Sequence, residues 1–136
     1  MKVMITVRGT QHVDGESDTV ELTTEAMMRE DADGFTLCYR ETAATGMEGT
    51  LTLLRIQPEK VTMERRGNAA GLLVLELKKR HVCSYATPVG SLMLGVFTDH
   101  MEQQLTLGGG KLLVSYTLDV GGRMMSRQDL DITVYS

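Results

Sequence analysis

The sequence predicts an all-β protein whose strands run antiparallel in an up-and-down meander that closes into a barrel of about 8–10 strands. Apolar and polar residues alternate with a period of two along most of the chain, which is typical of strands with one buried face. Short groups of Gly, Asp or Pro separate these segments at regular intervals, and no segment is convincingly helical. Strand twist and exposed edges favour closure of so long a meander, and a sandwich of two sheets is the alternative.

The length and composition predict one domain, 1–136, with a single core. Apolar residues make up 42% of the chain, but aromatic residues make up only 4% and there is no Trp. Leu, Val and ten Met must therefore fill the interior. Because Met is flexible, such an interior suits a bound ligand as well as a plain core.

Charge and targeting signals exclude several classes of protein. The formal net charge is −4 and the longest basic cluster is 78–81, which disfavours a nucleic-acid partner. The segment 1–8 becomes polar too soon for a signal peptide, and no apolar run approaches the roughly 18 residues of a membrane-spanning helix. Two cysteines, Cys38 and Cys83, are too few for a disulfide framework. We expect a cytoplasmic protein without a membrane partner.

The first two strands lie on either side of a turn at 14–18. In the first, 2–13, Val and Ile alternate with Lys, Thr and Arg. The second, 19–28, also alternates and is rich in Thr, so we predict a strand there. A helix over 22–29 is the alternative, because Glu, Ala, Met and Arg have high helix propensity.

The third and fourth strands, 35–42 and 50–56, meet at two glycines. Gly46 and Gly49 can both adopt a positive φ, as a tight hairpin requires. A turn that contains proline separates the fourth strand from a fifth strand at 61–66. The hairpin at Gly46 and Gly49 has more polar and charged residues of possible chemical use than any other segment of the chain.

The second half of the chain continues the meander. Residues 72–78 are nearly continuously apolar, which predicts burial on both faces of that strand. The pattern breaks near Asp99 and His100, so we predict separate strands before and after them. The remaining strands are predicted at 82–86, 92–96, 103–107, 112–119 and 130–134.

Two motifs are distinctive: the run Thr-Gly-Met-Glu-Gly-Thr at 45–50 and the turn Thr-Pro-Val-Gly at 87–90. Together with further residues in order along essentially the whole chain, they resemble the YwiB-like family of small bacterial proteins of unknown function. The other residues that carry the resemblance are Asp14, Gly15, Glu16, Asp18, Glu21, Thr24, Glu25, Tyr39, Arg40, Glu41, His81, Tyr85, Gly110, Tyr116, Gly122 and Ile132.

The resemblance implies a lipocalin-like, calycin-type β-barrel, in agreement with the meander. Val89 stands where the family is expected to have Tyr, so an aromatic side chain that lined a pocket mouth there would be missing from this protein. The family has no established activity. The Gly-x-Trp signature of true lipocalins is absent from a chain without Trp, and ligand transport does not follow from the fold alone.

Glu41 and Glu48 flank the glycine hairpin at similar distances from its centre. Two nearby carboxylates can act as general acid and base or hold a cation, whereas beside Arg40 they can also be an ordinary surface pair. Glu41 shares a face with apolar residues, so we expect it on the inner wall, where a carboxylate must be solvated, paired or protonated. Arg65, also on an apolar face, is its expected partner.

His81, Cys83 and Tyr85 share one face of a strand. Side chains at i and i+2 stand about 6.5–7 Å apart, which disfavours a catalytic Cys–His pair. We expect a buried neutral Cys beside a hydrogen-bonded His. The histidines are scattered along the sequence and no metal-binding motif occurs, so we predict neither a metal nor a cofactor.

The leading functional hypothesis is a non-enzymatic barrel that binds a small molecule in its lumen or mouth. The candidate ligand-binding residues are polar residues of the predicted strands and hairpin, several of them on otherwise apolar faces: Glu25, Tyr39, Glu41, Glu48, Arg65, His81 and Tyr85.

Two alternatives remain open. In the first, the barrel is a solid scaffold for protein contact or homodimerisation, because Met4, Met27, Leu72 and Val74 lie on faces opposite the core. In the second, the protein is a hydrolytic or isomerase-like enzyme whose Glu41, Glu48 and Arg65 converge in one cavity.

Overall fold

Ten antiparallel strands form one closed barrel in a computed structural model, which describes residues 1–68, 70–87 and 90–135. Each strand pairs with the next along the chain, and the last pairs with the first. This confirms the all-β class and the up-and-down meander, and it decides for the barrel over the sandwich. The strands are β1 (Lys2–Val13), β2 (Glu16–Asp31), β3 (Gly34–Arg40), β4 (Thr50–Gln57), β5 (Lys60–Gly67), β6 (Gly71–Glu76), β7 (Arg80–Thr87), β8 (Gly90–Thr106), β9 (Gly109–Val120) and β10 (Arg123–Tyr135).

The core fills one end of the barrel. Strand register places inward side chains in rows around the wall, and two successive rows on β3 to β6 are entirely apolar and buried. Rows are about 6.6 Å apart, because alternate residues of a strand face the same way. The first apolar row is Phe35, Ile56, Val61 and Leu75; the second is Leu37, Leu54, Met63 and Leu73.

The second strand is confirmed as a strand, since β2 extends from Glu16 to Asp31. The predicted break near Asp99 and His100 is wrong. β8 continues through both residues, and the register of its ladder with β9 shifts between Thr98 and His100. A β-bulge inserts one extra residue and reverses the alternation, so the sequence pattern is interrupted where the strand is not.

The connection between β3 and β4 is longer than the predicted tight hairpin. Residues 42–49 are called here the mouth loop, and they contain a 3₁₀ turn at Ala43–Thr45. Thr42 caps the start of this turn, because its hydroxyl accepts a hydrogen bond from the Ala44 N–H. Gly46 and Gly49 do adopt positive φ values of 74° and 82°. The glycine conformations were therefore predicted correctly and the length of the loop was not.

β6 is buried on one face only, contrary to the prediction for 72–78. Leu73 and Leu75 point into the core, whereas Leu72 is 45% exposed on the outer surface. A continuous apolar run indicates two buried faces only where another layer covers the sheet, and the outer face at Leu72 is exposed.

β6 and β7 meet at an incomplete ladder, called here the seam. In the described part of the chain, Gly71 and Tyr85 form the one ladder pair between them. Further along, the Val74 N–H donates to Cys83 Sγ at 3.4 Å instead of to a backbone carbonyl. Side chains thus replace part of the backbone hydrogen bonding that joins the other strands.

Candidate functional site

A cavity of about 520 Å³ opens at the end of the barrel that carries the mouth loop. Strands β1, β2 and β5 to β10 line it together with Thr45 and Met47 of the mouth loop. Met63 and Leu73 of the second apolar row form part of its lining. The volume lies within the range of roughly 300–1,000 Å³ that is common for small-molecule sites.

The row of inward positions next to the second apolar row is polar. The register pairs Tyr39 with Thr52, Thr52 with Arg65, Arg65 with Gly71, and Gly71 with Tyr85. These five residues are called here the polar row. The wall therefore changes from apolar to polar within one step on β3, β4 and β5, while β6 contributes Gly71, which has no side chain.

Glu41 lies one inward position beyond Tyr39 and is only 5% exposed. Its carboxylate accepts a hydrogen bond from the Thr52 hydroxyl at 2.5 Å and one from the Thr45 hydroxyl at 2.9 Å. Burial raises the pKa of Tyr39, and the Glu41 charge beside it raises that pKa further. The Tyr39 phenol is consequently neutral at physiological pH.

Arg65 brings a positive charge to the inner wall. Its Nε is buried and has no hydrogen-bond partner, and no carboxylate of the described residues lies within 4 Å of its guanidinium. Burial raises the pKa of Tyr116, and the Arg65 charge only partly opposes that rise. The guanidinium field therefore reaches Tyr116 on β9 as well as Tyr39 on β3.

Tyr85 lies against the wall at Gly71. A Cβ atom at position 71 would lie 2.7 Å from Cδ2 of the Tyr85 ring, closer than real Cβ contacts. Glycine is therefore required at this point of the polar row if the ring is to keep its place. With no side chain at 71, nothing on β6 stands between Arg65 and Tyr85 in that row.

Four of the seven candidate residues gather at this end of the barrel. Arg65 and Tyr85 line the cavity, while Tyr39 and Glu41 lie buried in the wall beside it. Alternation on apolar faces was the signal that identified Tyr39, Glu41 and Arg65, whereas Tyr85 was identified from the face that it shares with His81 and Cys83. The expected contact between Arg65 and Glu41 is not an ion pair in this structure, because Glu41 is bound by hydroxyl groups instead.

The structure places the other three candidates elsewhere. Glu25 is exposed on the outer face of β2, 3.7 Å from Lys2 Nζ, because its neighbour Ala26 takes the inward position. Glu48 is exposed on the mouth loop, so it does not share the buried environment of Glu41. The two carboxylates that flank the predicted hairpin therefore lie in different environments, since the long loop turns Glu48 into solvent.

The third, His81, belongs to the seam. Its Nε2 lies 2.8 Å from Glu76 Oε1, and this hydrogen bond, opposed by partial desolvation, lowers the pKa of Glu76. Cys83 is buried, as expected. Both side chains join β6 to β7. The turn at 87–90 was expected to have lost a family tyrosine at position 89. Its residues Pro88 and Val89 lie outside the described residues.

Several cavity residues were missed as site candidates. Tyr116 and Leu118 could have been identified from the alternation of their strand, which places them on its inner face. Thr45 and Met47 lie on a loop, where no periodicity exists to indicate a direction.

A hydrogen-bonded chain at the edge of the cavity was also missed. His12 lies 2.7 Å from the Ser17 hydroxyl through Nδ1 and 2.8 Å from Asp129 through Nε2, and Ser115 donates to the same carboxylate at 2.6 Å. Desolvation opposes ionisation of Asp129, yet these hydrogen bonds and the Arg127 charge together lower its pKa. The chain links β1, β2, β9 and β10; Asp129 lines the cavity, whereas His12, Ser17 and Ser115 do not. We interpret it as structural.

The described residues contain no group of three or more His, Cys, Asp or Glu arranged to hold a metal ion. None of the helical segments they contain has the length and apolar character needed to cross a membrane.

Comparisons with known proteins agree with the geometry. A family model described as "Domain of unknown function (DUF1934)" matches residues 5–132. The crystal structure of the ywiB protein from Bacillus subtilis superposes with a TM-score of 0.87, covering 99% of this chain and 91% of that chain at 18% sequence identity. At that identity the similarity shows the fold alone. No curated protein matches the chain.

Proposed function

The chain belongs to the DUF1934 family, the YwiB-like family of small β-barrels, and we propose that its barrel binds a small molecule at the mouth. One observation carries the proposal. Buried apolar side chains fill one end of the barrel, whereas a cavity of about 520 Å³ and a polar row occupy the other. A barrel that served only as a scaffold would gain stability by filling both ends.

The rim of the cavity carries accessible apolar side chains. Val20, Leu92 and Met125 line the cavity, and each is also exposed to solvent. Exposed apolar side chains around a concave site are a feature of ligand-binding surfaces, because a ligand that covers them removes apolar area from water. The rim therefore supports entry of a partly apolar molecule.

The same geometry favours binding over catalysis. An enzyme that used Glu41, Glu48 and Arg65 would need all three groups at one reacting centre. Glu41 is bound by two hydroxyl groups and Glu48 is exposed. This leaves Arg65 as the one member of that set that lines the cavity.

Native mass spectrometry of gently purified protein, compared with the denatured mass, tests the proposal. We expect an additional mass that denaturation releases. Leu92→Trp, which fills the rim, should abolish that mass. Met93→Trp places the same side chain on the outer face of the same strand and should retain it. A bare wild-type chain that also fails to bind a fluorescent apolar probe would overturn the proposal.

Exposed apolar residues favour a second candidate function, homodimerisation. Leu72, Val82 and Met93 are 45%, 57% and 55% exposed on β6, β7 and β8. Exposed apolar residues on neighbouring strands favour a protein interface, because interfaces are marked by contiguous apolar surface. Light scattering should then show a dimer that Val82→Lys dissociates, and a monomer at all concentrations would contradict this candidate.

A further inference from the structure

Arg65 is an ionised group that the described part of the protein leaves without a counter-ion. Arginine does not lose its proton in proteins, so it cannot avoid the cost of burial by becoming neutral. A guanidinium inside a barrel must therefore be hydrogen-bonded or paired with an anion. Its Nε is buried without a partner, while the side chain lines the cavity.

The nearby carboxylates are engaged or differently placed. Glu41 accepts from Thr45 and Thr52, and Asp129 accepts from Ser115 beside its contact with His12. These groups already have donors of their own. An oxyanion supplied from outside the chain would complete the coordination of Arg65 without disturbing either network.

Two tyrosine side chains line the same cavity as Arg65. Tyr85 lines the cavity one position from Arg65 in the polar row, across Gly71. Tyr116 lines it from β9, and burial raises the pKa of that phenol, so its hydroxyl remains a donor. A guanidinium fork and phenolic donors together match the lone pairs of a carboxylate or phosphate group.

The other residues that line the cavity indicate the polarity and charge of the rest of the ligand. Met63, Leu73 and Leu94 line it with apolar surface, which favours an apolar body. Asp18, exposed at the rim, repels a second negative charge. From this arrangement we propose that the ligand is an apolar monocarboxylate whose carboxylate binds Arg65; the inference rests on the function proposed above.

Calorimetric titration with decanoate, decanol and decyl phosphate tests the ligand class. The wild-type protein should bind decanoate at least tenfold more tightly than decanol, because a hydrogen bond to a charged group contributes about 1.5–3 kcal/mol, or roughly 10–100-fold in affinity. Decyl phosphate should bind more weakly than decanoate because of its second charge. Tighter binding of decyl phosphate would overturn the assignment to monocarboxylates.

Variants locate the carboxylate. Arg65→Gln should bind decanoate and decanol equally, and Arg55→Gln, an exposed arginine on the neighbouring strand, should behave as wild type. Tyr116→Phe should weaken decanoate binding about tenfold and leave decanol unchanged. Arg65→Lys retains the charge and should keep part of the preference, which preserves the test if Arg65→Gln does not fold.

The outcomes separate the two proposals. If the wild-type protein binds decanol as tightly as decanoate, or if Arg65→Gln retains the preference, the ligand class is wrong while binding at the mouth stands. If none of the three probes binds and native mass spectrometry shows a bare chain without affinity for the fluorescent probe, both proposals fall.

Discussion

The Thr45 hydroxyl donates a hydrogen bond to the Glu41 carboxylate at 2.9 Å, and this contact fastens the mouth loop to the barrel wall. Thr52, on the adjacent strand, donates to the other carboxylate oxygen at 2.5 Å. Glu41 therefore links the mouth loop to the barrel wall at β4. The first prediction concerns this link.

Glu41→Gln should destabilise the protein by about 1–3 kcal/mol, because an amide offers one acceptor oxygen where the carboxylate offers two, and one hydroxyl loses its buried partner. Urea unfolding measures the change. Hydrogen exchange should also quicken in the mouth loop. Glu48→Gln alters an exposed side chain of the same loop and should change the free energy of unfolding by less than about 0.5 kcal/mol. Equal effects of the two variants would contradict the buried link.

Gly71→Ala should destabilise the protein by about 1–3 kcal/mol, since the new methyl group would overlap the Tyr85 ring and force it from the wall. Combining it with Tyr85→Ala should remove most of the additional cost, which a double-mutant cycle measures. Gly9→Ala is the control, because its nearest contact would be Val20 at an ordinary 3.7 Å. Strict additivity of the first two changes would show that the ring does not depend on the glycine.

Arg80 and Asp119 form a two-bond ion pair, 2.6 and 3.0 Å, that crosses the outer face of β8 at Gly95. The hydrogen bond from Arg80 is the main cause that lowers the pKa of Asp119. A carboxylate whose pKa is lowered in the folded state stabilises the protein at pH values above its pKa in the unfolded chain, about 3.9. This contribution to stability disappears as the pH falls through the folded-state pKa.

The stability difference between wild type and Asp119→Asn should therefore be constant above about pH 5 and should narrow below about pH 4. Urea midpoints measured from pH 7 to pH 3 give this difference directly. Gly95→Ala should reproduce the loss at pH 7, because a Cβ atom would occupy the path of the ion pair. A difference that widens in acid would show that Asp119 does not titrate below its unfolded value.

Cys83→Val should weaken the seam, because valine has no acceptor for the Val74 N–H and leaves it unpaired. We expect a loss of about 1–3 kcal/mol and faster exchange of the Val74 amide. Cys38→Val changes a cysteine on the third strand whose side chain is only partly buried, and it serves as the control. Protection of Val74 that survives Cys83→Val would mean that the thiol is not its partner.

Alternation predicted the architecture well because a period of two depends only on which side chains face the core. The limits of β1 coincide with the predicted segment 2–13, where a turn-forming cluster follows an uninterrupted pattern. The bulge at Asp99 was missed because its extra residue resembles a gap between strands. The predicted length of the mouth loop was too short, because its two glycines fit a tight hairpin as well as they fit a longer loop.

The site was predicted in part for the same reason. Tyr39, Glu41 and Arg65 are polar residues on apolar faces, so periodicity alone placed them inside. Glu48 lies on a loop, where proximity in sequence does not fix the direction of a side chain. The pairing of Arg65 with Gly71 and Tyr85 depends on the register between strands, which a single sequence does not contain.

The ladder between β1 and β10 has a consequence for folding. In the described chain the other ladders join consecutive strands, which as hairpins form within microseconds, whereas this one pairs Ile5 with Val134. Joining such distant segments costs more entropy than closing a hairpin, so we expect this ladder to form last. A chain in which it has not yet formed has two unprotected sheet edges, and such edges can capture other chains. Refolding yield should therefore depend on protein concentration far more than the stability of the finished barrel does.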